Sequence, residues 1–73
     1  MSLGVTDLPK IEAEILDAVK SLNGALPIIV AYWRYTRGFK PVLADQATSA
    51  IMRGMQAKGL LTFKDVYEVV KQE

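Results

Sequence analysis

Seventy-three residues make one domain, 1–73, and an apolar content of 51% supplies it well with core-forming side chains for that size. The chain has neither cysteine nor histidine, which excludes disulfide staples, Cys/His metal sites and Ser-His or Cys-His nucleophile pairs, and leaves packing to hold the fold together. Its net charge of +1 hides an asymmetry: residues 1–33 sum to −2, residues 34–64 to +5 and residues 65–73 to −2.

Residues 1–5 read as a disordered N-terminus, and the first helix is expected over 7–22. There Leu8, Ile11, Ile15, Val19 and Leu22 recur at steps of three and four, the spacing of one buried helical face. Thr6 or Asp7 can cap its start, Pro9 is tolerated in the first turn, and Asn23-Gly24 ends it. Glu12, Glu14 and Asp17 lie mostly off the apolar line and read as a plain solvated face. An acidic face of this kind would be repelled by a phosphate backbone.

A second helix is expected over 27–37, opened by Pro27 and closed by Arg37-Gly38. Ile28-Ile29-Val30 and the aromatics also suit a strand, and Ala25-Leu26 can be a short strand of its own. As a helix this stretch is apolar nearly all round. Ile28, Tyr32, Tyr35 and Phe39 form one stripe, and Ile29, Trp33 and Thr36 another. A small core can cover one of them. The other, Ile29, Trp33 and Thr36, together with the neighbouring Tyr32, is expected to be a partner interface and the basis of a homodimer. The longest apolar run, Ala25 to Trp33, contains Pro27 and is too short to span a bilayer. With no signal peptide visible at the N-terminus, a cytoplasmic location without membrane insertion is the expectation.

Gly38-Phe39-Lys40-Pro41 is the turn into the third helix, expected over 42–58. Apolar residues recur at Leu43, Ala47, Ala50, Ile51 and Met55, and a polar stripe of Gln46, Ser49, Arg53 and Gln56 lies opposite. Lys58-Gly59 supplies a cation in the last turn and a left-handed stop. Gly54, inside the helix, is expected to reflect close helix packing, with close backbone approach to a partner as the alternative, and Met52 and Met55 are expected to fill the core.

In the tail, Leu60-Leu61-Thr62-Phe63, then Lys64-Asp65, then Val66-Tyr67-Glu68-Val69-Val70 reads as a tight hairpin. A fourth helix from Asp65 to Lys71, capped at Thr62, is the alternative. The preferred fold class is therefore mainly α with a small β-hairpin, and the alternative is an all-α four-helix domain.

A helix with small, amide and basic outward side chains, ending in Lys58-Gly59-Leu60-Leu61 and followed by a β-prone tail, resembles the recognition helix of the winged helix-turn-helix DNA-binding superfamily. The resemblance covers residues 43–70. It implies a three-helix domain with a C-terminal wing, in which the helix at 43–58 enters the DNA major groove. It also implies roles for single residues. Lys40, Arg53, Lys58 and Lys64 would contact phosphates, while Gln46, Ser49 and Thr48 would face base edges, as in a small homodimeric transcription regulator. The basic cluster in residues 34–64 agrees with this assignment. The other reading is a protein–protein interaction module working through the aromatic 28–39 stretch. No catalytic constellation, phosphate-binding glycine loop or cofactor site is recognisable in the sequence, so a protein without enzymatic activity or cofactor is expected.

Overall fold

A computed structural model describes residues 7–70; the expected disordered segment 1–5 and the Thr6 cap lie outside them. Three helices, α1 (Leu8–Leu22), α2 (Pro27–Thr36) and α3 (Asp45–Ala57), are followed by a hairpin of β1 (Leu61–Phe63) and β2 (Tyr67–Val69). The strands are antiparallel, with Leu61 opposite Val69, Thr62 opposite Glu68 and Phe63 opposite Tyr67. Residues 65–70 therefore belong to a hairpin and not to a fourth helix. Ala25, between α1 and α2, adds an antiparallel bridge to Tyr67, with hydrogen bonds of 2.9 and 3.0 Å in the two directions.

All three helices stop in the same way. At the end of α1, Asn23 takes a left-handed φ of 57° and the Gly24 N–H reaches back to the Val19 carbonyl at 2.9 Å. Phe39 N–H bonds Arg34 O after α2, and Leu60 N–H bonds Met55 O after α3, with Gly38 and Gly59 at positive φ. These are six-to-one closures that satisfy carbonyls left without partners in a final turn. Asp7 occupies the cap position of α1 without a side-chain cap hydrogen bond. The third helix begins at Asp45, later than residue 42, and the acidic side chain in its first turn suits the positive end of the helix dipole.

The core is built from Ile11, Ile15, Ala18 and Val19 of α1, Val30 and Trp33 of α2, Met52 and Met55 of α3, and Ala25, Leu61 and Tyr67 of the sheet. Ile15, Val19 and the two methionines fall where their spacing places them. Leu8 and Leu22, at the two ends of the expected α1 stripe, are exposed, since the terminal turns reach past the core, and the helical phase differs from expectation on α2 and α3. On α2 the buried face is Val30, Trp33 and Arg34, so the inward side chains come from neither expected stripe as a set. On α3 the buried residues are Thr48, Met52 and Met55, Ile51 and Leu43 are half-buried, and Ala47 and Ala50 are exposed. Alanine is mildly apolar but costs little in water, so it marks a helical face poorly. Thr48 is tolerated inside because its Oγ1 donates to the Ala44 carbonyl at 3.0 Å.

Gly24 has φ +102°, and a Cβ placed on it would lie 2.9 Å from Val66 Cγ2 and 3.4 Å from the Tyr67 carbonyl oxygen. Its bareness lets the end of α1 press against the hairpin. Gly24→Ala should therefore cost on the order of 1–3 kcal/mol in urea unfolding. Ile15→Ala, at a fully buried site, should cost about 2–5 kcal/mol. Ile51→Ala should cost clearly less, because its side chain is only half-buried. Equal midpoints for Ile15→Ala and Ile51→Ala would show that the core does not lie on the Met52–Met55 face of α3.

Candidate functional site

The outward face of α3 carries Gln46, Ala47, Ala50, Arg53, Gly54 and Ala57, all exposed. Apart from its two chain neighbours and the helix's own backbone, no atom of the described residues lies within 4 Å of where a Gly54 Cβ would sit. Close packing among the described residues is therefore not the reason for that glycine. On one flank of the face, Gln46, Ser49 and Arg53 line an open cleft of about 630 Å³ whose opposite wall is Leu26, Pro27 and Ile28 at the start of α2. Arg53 Nη1 donates to Ser49 Oγ at 2.9 Å, which orients the guanidinium along the helix. Asp45 also lines the cleft, so its electrostatics are mixed, with one cation and one carboxylate about two turns apart on the helix.

Three of the residues expected to contact nucleic acid thus share one wall. Thr48 is not with them: it is fully buried beneath the helix, with its hydroxyl bonded to the backbone, and is withdrawn from any base edge. Lys58 is half-exposed, and its Nζ is paired with Glu12 of α1, a contact that draws it toward the acidic helix. Lys40, in the loop before α3, and Lys64, in the hairpin turn, are exposed.

The expected partner stripe also divides. Ile29, Tyr32 and Thr36 are exposed on α2, but Trp33 is only 8% exposed. Its ring stacks against Phe39 with centroids 5.8 Å apart, and the Arg37 guanidinium sits 4.1 Å from the Trp33 centroid. Trp33 is a core residue, and its expected place in an interface is corrected accordingly.

The least anticipated feature is Arg34. Its side chain is 1% exposed and makes three hydrogen bonds. Nε and Nη2 both donate to Glu14 Oε1, at 3.2 and 2.5 Å, and Nη1 donates to the Pro41 carbonyl at 3.0 Å. The Phe39 ring lies beside it, 5.5 Å from centroid to Cζ. Glu14 is consequently not a solvated carboxylate, and neither is Glu12, each being 12% exposed. One cue in the sequence pointed this way: Arg34 stands four residues after Val30, in step with the buried face of α2. The usual exposure of arginine argues against reading it so.

Of the six cations in residues 34–64, Arg34 and Lys58 are thus engaged by α1, which leaves Arg37, Lys40, Arg53 and Lys64 against Asp45. Among the described residues there is no cluster of acidic groups able to hold a metal ion and no helix long and apolar enough to cross a membrane. Comparison with protein-family models, curated proteins and solved structures found no match to this chain.

Breaking the buried pair from the acid side should be the costlier change. Glu14→Ala leaves a desolvated guanidinium without its counter-ion, and about 3–5 kcal/mol of stability should be lost. Arg34→Met removes the charge and keeps apolar volume, so it should cost less than Glu14→Ala, and the double variant should be more stable than Glu14→Ala alone. Chemical denaturation of the three variants checks the order. A Glu14→Ala protein with the wild-type midpoint would show that the pair does not hold the helices together.

Proposed function

We propose that this chain is a small winged helix-turn-helix DNA-binding protein, a transcription regulator in which α3 lies in the major groove and the β1–β2 hairpin is the wing. The observation that carries the reading is the free outward face of α3. It combines small side chains at Ala47, Ala50 and Gly54, exposed Gln46 and Arg53, and open space where a Gly54 side chain would project. A helix that reads base edges must approach the floor of a groove about 12 Å wide, and small residues on its leading face permit that depth. The element order is in keeping with this, since Ala25 bridges the hairpin at Tyr67 and ties it to the start of α2.

Within this reading Gln46 faces a base edge, where its amide can pair with adenine, and Ser49 serves partly to steer Arg53. Arg53, Lys40 and Lys64 contact phosphates. Lys58 contributes little, because it must first leave Glu12. Asp45 opposes phosphate and confines the backbone contacts to the Arg53 side of the cleft.

Duplex titrations by fluorescence anisotropy at about 50 mM salt are the direct test, since backbone contacts are least screened there. With three phosphate contacts per protomer, log affinity should fall with log salt at a slope of about −2.5 to −3 per protomer. Arg53→Ala should reduce the slope's magnitude by about one unit, Lys58→Ala should barely change it, and Gln46→Ala should weaken sequence preference while leaving the slope nearly unchanged. Gly54→Ala separates fold from function. It should raise stability by about 0.5–1 kcal/mol, as for any glycine relieved in an open helical site, while lowering duplex affinity. Absence of duplex binding at low salt would reject the reading and leave the exposed side of α2 as the working surface.

A further inference from the structure

The inward face of α2 is settled by Val30, Trp33 and Arg34. What remains outside is unusual for so short a helix: Ile28 is 58% exposed, Ile29 47%, Tyr32 66% and Tyr35 63%. These four positions lie on one side of α2, opposite the buried stripe. The only charged side chain in Pro27–Thr36 is Arg34, and it is turned into the core and paired. The outer face of α2 is therefore apolar, aromatic and without formal charge.

We infer that this face is the contact between two copies of the chain, packed across a two-fold axis with Ile28, Ile29, Tyr32 and Tyr35 of each protomer against the same residues of the other. The area is of the required size. Side chains of this kind offer on the order of 150–250 Å² each when fully exposed, so the four leave roughly 500 Å² open. That is near the upper end of the largest patch a soluble monomer exposes. Two such faces remove about 1,000 Å² in total, the lower bound for a specific interface. Charge selects the occupant. A face that bears no charge meets its own copy without like-charge repulsion and offers nothing to pair with a charged partner, so self-complementarity is the arrangement it satisfies best. The tyrosine hydroxyls keep their reach to water at the rim, as amphipathic aromatics at interfaces do. Because the area is at the lower bound for a specific interface, the dimer is a weak and reversible one. This inference does not draw on the DNA reading, although the two surfaces adjoin at Ile28, which also forms the wall of the cleft opposite Arg53.

Sedimentation velocity on the full chain between about 10 µM and about 1 mM tests it. The wild type should move from monomer to dimer across that range. Tyr32→Glu and Ile29→Lys each place a charge in the desolvated contact and should weaken the dimer by about 100-fold or more. Both sites are exposed in the protomer, so circular dichroism should show each variant folded. Val42→Glu, at another exposed apolar residue outside α2, should leave the dimer unchanged. A wild type that stays monomeric at about 1 mM overturns the inference. So does a dimer that survives both α2 variants or is lost equally in Val42→Glu.

Discussion

The fold depends on one buried charge. Arg34 lies at the meeting point of α1, α2 and the loop between α2 and α3, and its guanidinium binds Glu14 on the first and the Pro41 carbonyl on the last. A buried ion pair adds little net stability compared with well-packed apolar residues, since the attraction mainly offsets the desolvation of both groups. Its effect is on geometry. A guanidinium with its donors in a fixed plane satisfies three acceptor contacts only when α1 sits at one distance from α2 and the loop passes at one height. The aromatic layer beside it adds to that constraint, with Arg37, Trp33 and Phe39 stacked in sequence and Phe39 also flanking Arg34. The backbone joins in, because the Phe39 N–H closes α2 on the Arg34 carbonyl. Where α3 begins, and hence how it is presented, follows from that loop.

Placing an arginine inward has a consequence for the rest of α2. A ten-residue helix has about three turns and only one face toward a small core. Arg34 occupies part of that face, and Val30 and Trp33 take the remainder. The isoleucines at 28 and 29 and the tyrosines at 32 and 35 are displaced to the solvent side. Leu8, Leu22, Leu26, Val42 and Phe63 are exposed elsewhere, but the four on α2 adjoin one another, and this gives the outer side of α2 its character.

The same pairing changes the meaning of the charge asymmetry. Along the chain, residues 34–64 are strongly basic and the first helix is acidic. In three dimensions part of that contrast is internal, because Glu14 and Glu12 of α1 engage Arg34 and Lys58. The exposed Lys58–Glu12 contact adds little stability by itself, about 0–1 kcal/mol. It does lower the charge available to an outside partner, and with Arg37 held over the Trp33 ring, Arg53, Lys40 and Lys64 are left as the cations on which phosphate recognition would draw.

Features that depend on near neighbours along the chain were legible in the order of the amino acids. The three helices, their glycine or asparagine stops, the α1 core stripe of Ile11, Ile15 and Val19, and the hairpin after Gly59 follow from periodicity and from backbone preferences that act over four or five residues. The tertiary structure alone decided which way α2 and α3 are turned. Where nearly every side of a helix is apolar, as in α2, the pattern has no contrast from which to read a face. Where the solvent side carries alanines and the buried side a threonine, as in α3, hydrophobicity points to the wrong stripe. The placement of Trp33 inside, of Thr48 beneath its helix and of Arg34 against Glu14 depends on partners twenty residues away or on a satisfied hydrogen bond. Arg34 leaves no local signal, because burial of its charge becomes favourable only once its distant acceptor is in position, whereas the Thr48 bond to the carbonyl four residues back is one a helical threonine can make on any face.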